Sequence, residues 1–194
     1  MNRIRNYVTD NTLKLIYHSL IYPHLLYGIS VWGNADITHL DSLRILQKKA
    51  VRIISNKHKN IHSLFTLPGD PEMYWLFDTF IKEASTPLFN NLNILKISDI
   101  FNASILNFVY DSLNNINPSQ FHDYFRYPPN NYNTAANRRG DLDTPQVRTT
   151  TYGLKSIKYF GCILWNNLPI SIKNSLSKKI FNKSVKRHFI NSYI

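Results

Sequence analysis

Residues 13–56 read LKLIYHSLIYPHLLYGISVWGNADITHLDSLRILQKKAVRIISN. Leu13, Ile16, Tyr17, Leu20 and Ile21 recur at helical spacing, and Asp10 or Asn11 just upstream predicts the N-cap. Pro23 has no N–H to donate, so a kink or break is expected there. His24 to Trp32 then predicts a second helical piece, closed by a turn at Gly33-Asn34. Tyr17, Tyr22, Tyr27 and Trp32 recur every five residues, which matches no helical repeat. They read as core and interface packing, with a base-stacking platform as the rarer alternative. About Thr38 to Ser55 the pattern is plainer. Leu40, Leu43, Leu46, Ala50, Ile53 and Ile54 form the expected buried side, while Arg44, Lys48 and Arg52 recur at i, i+4 and i+8. At 1.5 Å per residue these three make a basic ridge about 12 Å long. Like charges at this spacing repel by a few tenths of a kcal/mol per pair unless a counter-charge relieves them. Duplex phosphates would supply it; a solvated face is the plainer alternative.

Outward from this stretch, the clearest periodicity lies at the other end of the chain. Ser177 to Ser192 predicts a helix with Phe181, Val185 and Phe189 on its apolar side. Lys179, Lys183, Lys186 and Arg187 fall on the other side within about 100° of arc, with Lys178 between the two. Between the ends, Ser98 or Asp99 predicts the cap of a helix over about Ile100 to Leu113 that is apolar nearly all round and therefore central. Residues 114–143, rich in Asn and Pro, read as loop. Asp141 and Asp143, flanked by Arg138, Arg139 and Arg148, read as loop ion-pair or capping groups and not as metal ligands. Val147 to Tyr152 (VRTTTY) leans towards β structure, and Ile157 to Leu168 is compatible with helix or strand until Pro169 ends it. Cys162 reads as a small core residue. From Lys57 to Ala84, the Leu67–Pro71 turn and the segment MYWLFDTFIKEA suggest a short acidic helix. His58 and His62 are spaced like a metal pair, but no further ligand follows at a recognisable spacing.

The chain has 194 residues, enough for one sizeable core or two small domains, and 43% hydrophobic residues. One cysteine rules out an internal disulfide and a cysteine-based zinc site. The net charge of +11 is unevenly spread. Residues 1–60 carry nine Lys/Arg against three Asp/Glu, residues 61–130 three against seven, and residues 131–194 eleven against two. Two basic ends around an acidic middle point to a polyanion. MNRIRNYVTD has no signal-peptide core, so a non-secreted, intracellular protein of nucleus or cytoplasm is expected. Leu13 to Trp32 is span-length, but Lys14, His18, Pro23 and His24 argue against a membrane helix.

Several blocks resemble the thumb and C-terminal region of reverse transcriptases of non-LTR (LINE- or jockey-like) retrotransposons. They are Tyr17-His18-Ser19-Leu20 with Tyr22-Pro23, Leu26-Tyr27-Gly28, Val31-Trp32-Gly33, and Leu43 followed by Gln47 to Ile54. The likeness continues through Pro87 to Ile97, Tyr132-Asn133-Thr134, Pro145 to Thr149, Ser156 to Gly161, Leu164 to Pro169, and Phe181. The resemblance implies a mainly α fold: a thumb-like helical bundle over residues 1–57, a linker or insertion over 58–86, and a helical C-terminal region over 87–194 with at most a short β hairpin. It also implies that Arg44, Lys48, Lys49 and Arg52 meet the phosphate backbone of an RNA/DNA primer–template duplex without reading its sequence.

The family's polymerase needs palm carboxylates, including a Tyr/Phe-Ala-Asp-Asp motif, to hold two metal ions. That motif does not occur in these residues. The resemblance therefore implies a fragment without palm or fingers, holding no cofactor of its own although the parent enzyme would use Mg2+, and unable to polymerise alone. Leu64 to Ser85 separates blocks that lie almost adjacent in the family, which suggests an insertion or a translated intron. Two other readings compete: a relic helical interaction protein without activity, and a peripheral membrane protein whose terminal basic helix meets anionic lipid.

Overall fold

Among the residues described by the computed structural model (1, 3–55, 85–129 and 140–193), all regular structure is helical and no strand occurs. Residues 57–84, with His58, His62 and most of the suspected insertion, lie outside the described set, as do Arg138, Arg139 and the Tyr132–Thr134 block. The helices are α1 (Asp10–Ile16), α2 (Tyr22–Leu26), α3 (Ile29–Trp32), α4 (Ile37–Ile54), α5 (Thr86–Leu92), α6 (Ile97–Leu113), α7 (Ile157–Asn166), α8 (Ile170–Lys173) and α9 (Lys178–Asn191). They belong to two compact units. One comprises residues 1–100 with 189–194, the other residues 101–188.

In the first unit Thr9, and not Asp10 or Asn11, caps α1: its side chain accepts from the Thr12 N–H. The break expected at Pro23 is instead a wide π turn over Tyr17–Ile21, joined directly to α2 with Pro23 in its first turn. The Tyr22 N–H reaches back five residues to the Tyr17 carbonyl. Such a turn absorbs a residue whose missing N–H would leave a hole in a regular α ladder. The extra residue also rotates the helix face. Leu13 and Tyr17 are fully buried, whereas Leu20 is 64% exposed, contrary to the simple helical reading. A second surprise follows at Gly28, whose φ of +62° divides the expected His24–Trp32 helix into α2 and α3. Tyr27 is left 85% exposed, so the five-residue aromatic series is not uniformly core. Its backbone carbonyl accepts from the Trp32 indole at 2.7 Å.

Helix α4 begins and ends where its periodicity predicts, but it is turned on its axis. Its buried residues are Gln47, Ala50, Val51 and Ile54, while Leu46 is 60% exposed. The reason is a polar one. The Gln47 carboxamide donates to the Tyr17 hydroxyl (3.0 Å) and the Leu95 carbonyl (2.8 Å), and accepts from the Ile97 N–H (2.9 Å). Both donors and one acceptor position are used, so the group can be 97% buried without the penalty of an unpaired amide. Helix α5 then ends in a Schellman motif: Asn93 is left-handed (φ 57°), its N–H meets the Asn90 carbonyl, and the Ile94 N–H meets Phe89. That turn delivers the non-helical 94–96 segment to Gln47.

In the second unit, α6 is buried nearly all round, as its composition predicts, through Phe101, Ile105, Leu106, Val109 and Tyr110. It starts at Ile97, so Ser98 and Asp99 belong to its first turn and do not precede it. Another Schellman turn closes it, with Asn115 left-handed and the Ile116 N–H on the Asp111 carbonyl. Gly161 lets α7 approach closely, since a Cβ there would lie 3.0 Å from both Phe125 and Val109. Phe101 stacks on Phe160 and Tyr110 on Phe181. The β-leaning Val147–Tyr152 stretch is not a strand: residues 141–149 are irregular and Thr150–Leu154 forms a single π turn. Asn166 does here what Gln47 does in the first unit. Its carboxamide accepts from the Leu142 N–H (2.7 Å) and donates to the Leu142 carbonyl (3.0 Å). The ion pair of Asp141 with buried Lys173 (2.7 Å) anchors the same segment, which is the structural role expected of Asp141. Cys162 is buried, and burial, reinforced by nearby Asp143, pushes its thiol up to about 11, as befits a core residue.

Replacing Gln47 by leucine should lower stability by roughly 3 kcal/mol, because a buried carbonyl, N–H and hydroxyl lose partners together. Urea unfolding followed by tryptophan fluorescence would measure it; a midpoint as little changed as that of Lys49→Ala would refute the assignment.

Candidate nucleic-acid interface

The ridge lies beside the Gln47 face. At 100° per residue, Arg44, Lys48 and Arg52 occupy the flank of α4 next to its buried side, and Lys49 lies about 100° further round. Arg44 is exposed and Lys48 and Arg52 half-buried, while Lys49 is exposed. Asp41 shares this flank and pairs with Arg44 at 3.0 Å. With both side chains about half exposed, that pair adds little stability. It does offset one of the like-charge repulsions along the ridge.

Beyond the ridge is a hollow of about 480 Å3, walled by Asp41, Arg44 and Lys48 of α4, by Thr86 and Phe89 of α5, and by Lys96, Ile97 and Ser98. Lys96 is the residue that helix periodicity could not find. It lies between the two residues bound by Gln47, so the same carboxamide that rotates α4 brings a distant lysine to the ridge. Lys96 is held from behind as well. Its N–H donates to the Tyr193 hydroxyl (3.0 Å), and its ammonium lies 4.3 Å from that ring's centroid. Tyr193 in turn donates a short hydrogen bond to Asp99. Burial raises the Asp99 carboxyl above its ordinary value, opposed by the Tyr193 hydrogen bond and the Lys96 charge.

In the second unit, Lys179, Lys183 and Arg187 are exposed along α9 and Lys186 is half-buried, opposite Phe181 and Val185, which are buried. Lys178 is drawn out of the basic face by Asp111 at 2.6 Å. Among the described residues, no group of three or more His, Cys, Asp or Glu could hold a metal ion. No described helix is long and apolar enough to cross a membrane.

Over 46 residues the chain is 48% identical to the RNA-directed DNA polymerase from mobile element jockey of Drosophila funebris, and over 40 residues 50% identical to that of Drosophila melanogaster. This part of the chain is therefore related to a reverse transcriptase of a non-LTR retrotransposon. The matches take in 24% and 21% of this chain but only 5% and 4% of those polymerases. No protein-family model matches the chain, and no solved structure does.

The raised Asp99 carboxyl fixes the sign of a pH effect. The folded chain holds this proton more tightly than the unfolded one, so the group's stabilising contribution is complete below the ordinary carboxylate range and is lost as pH rises through the raised value. Asp99→Asn, which keeps an acceptor for Tyr193, should therefore be more stable than the parent at pH 7, with the difference closing towards pH 4. Thermal melts at the two pH values measure the gap, and a gap that widens on acidification would contradict the shift.

Proposed function

We propose that this chain is the duplex-binding thumb and C-terminal portion of a non-LTR reverse transcriptase, gripping nucleic acid through its backbone and inactive without the catalytic palm. The observation that carries the reading is the Arg44/Lys48/Arg52 ridge, on a helix whose adjacent face is committed to the core. One strand of a duplex presents a phosphate per about 3.4 Å of axis, so a ridge of about 12 Å runs alongside roughly three to four phosphates. The basic face of α9, with Lys179, Lys183, Lys186 and Arg187, supplies a second cationic surface of the same kind. Kinship with the jockey polymerases over about a quarter of the chain supports the same class of partner. The catalytic carboxylates and their Mg2+ would come from the palm, for which these residues contain no Tyr/Phe-Ala-Asp-Asp motif.

The ridge alone should contribute a slope of about −2.7 to the dependence of log affinity on log salt, or ~40-fold weaker binding between 50 and 200 mM. Fluorescence anisotropy with an RNA–DNA duplex reads this directly. Triple replacement of Arg44, Lys48 and Arg52 by glutamate should abolish binding while circular dichroism shows an intact helical fold. Unchanged affinity in the triple variant would remove the ridge from the interface. Absence of binding by the folded parent at low salt would favour a relic interaction protein.

A further inference from the structure

The geometry points to the hollow beside α4 as a phosphate-binding pocket that fixes one phosphate of a polynucleotide strand at the Arg44 end of the ridge. This deepens the duplex-binding reading and rests on it. Three cations from two distant parts of the sequence, Arg44, Lys48 and Lys96, line one cavity of about 480 Å3. Among the described lining residues Asp41 is the one carboxylate, paired with Arg44 at 3.0 Å, and these residues together carry a formal charge of +2. Ser85, Thr86 and Ser98 add hydroxyls to the lining. Donors and positive charge in such excess suit an anion and repel a metal ion, and a planar guanidinium matches phosphate oxygens in pairs.

The wall is built before any ligand arrives. Gln47 clamps the residues on either side of Lys96 while Tyr193 holds the Lys96 N–H, so binding spends little on ordering that segment. Ile45, Phe89 and Ile97 form the apolar part of the lining. The volume is within the range of small-molecule sites, so a phosphate can enter with its sugar against apolar surface. Arg52 and Lys49 do not line the hollow and remain contacts along the duplex. The ridge therefore has one fixed end, where a phosphate is enclosed, and one open end, where phosphates are met in passing.

Duplex affinity as a function of salt tests this on the whole chain, comparing the parent with Lys96→Gln, Lys48→Gln and Tyr193→Phe. Although Lys96 lies off the ridge, Lys96→Gln should reduce the steepness of the salt dependence by about one, as Lys48→Gln does. Tyr193→Phe disturbs the same neighbourhood without changing charge and should leave the slope unaltered. A nucleoside 5′-monophosphate should compete with duplex for the parent and fail to compete for Lys96→Gln. A parental slope in Lys96→Gln beside a reduced one in Lys48→Gln would overturn the pocket and leave the ridge standing. Parental slopes in both variants would overturn both readings. Lys96-dependent binding of free nucleotide with no change in the duplex slope would make the pocket a free-nucleotide site and overturn its role on the strand.

Discussion

Two side-chain amides do in this protein what a sheet ladder does elsewhere. Gln47 pairs with the backbone of residues 95 and 97, and Asn166 pairs in both directions with Leu142. In each case a non-helical segment must be buried against a helix whose own backbone groups are already spent on one another. Such a segment without a neighbouring strand would carry unpaired N–H and C=O groups into the core, at a cost of one to several kcal/mol each. A carboxamide presents a donor and an acceptor side by side, as a peptide unit does, and can substitute for the absent strand. The packing of the first unit around α4 depends on this substitution.

The rotation of α4 follows from it. A wheel built on hydrophobicity alone puts Leu46 inside and leaves Gln47 beside the polar flank; the structure does the reverse. One buried amide with three partners outweighs one leucine left in water, because exposing a leucine forfeits about 1.5–3 kcal/mol whereas stranding three polar groups costs more. The ridge is untouched by the exchange, since Arg44, Lys48 and Arg52 move together with the helix. What changes is the company they keep. The exchanged face looks towards residues 85–98, and Lys96 joins the cationic group.

The relationship to jockey polymerases and the physical reading of the ridge are two separate grounds on which the proposal of a nucleic-acid partner rests. One concerns ancestry over a limited stretch; the other concerns charge on a helix flank whether or not a relative exists.

The extents of α4 and α9 to within a residue or so, the all-round burial of α6, the core role of Cys162 and the two basic faces are legible in the residues alone. Those properties follow from periodicity and composition, which are local and additive along a helix. The fold as a whole sets the π turn that accommodates Pro23, the left-handed Gly28 that divides α2 from α3, the loss of the β-leaning 147–152 stretch to an irregular segment and a π turn, and the inward placement of Gln47. It also decided that Lys96 stands beside Arg44 and Lys48. Each of these depends on a polar group finding a partner tens of residues away, and no local period records such a pairing.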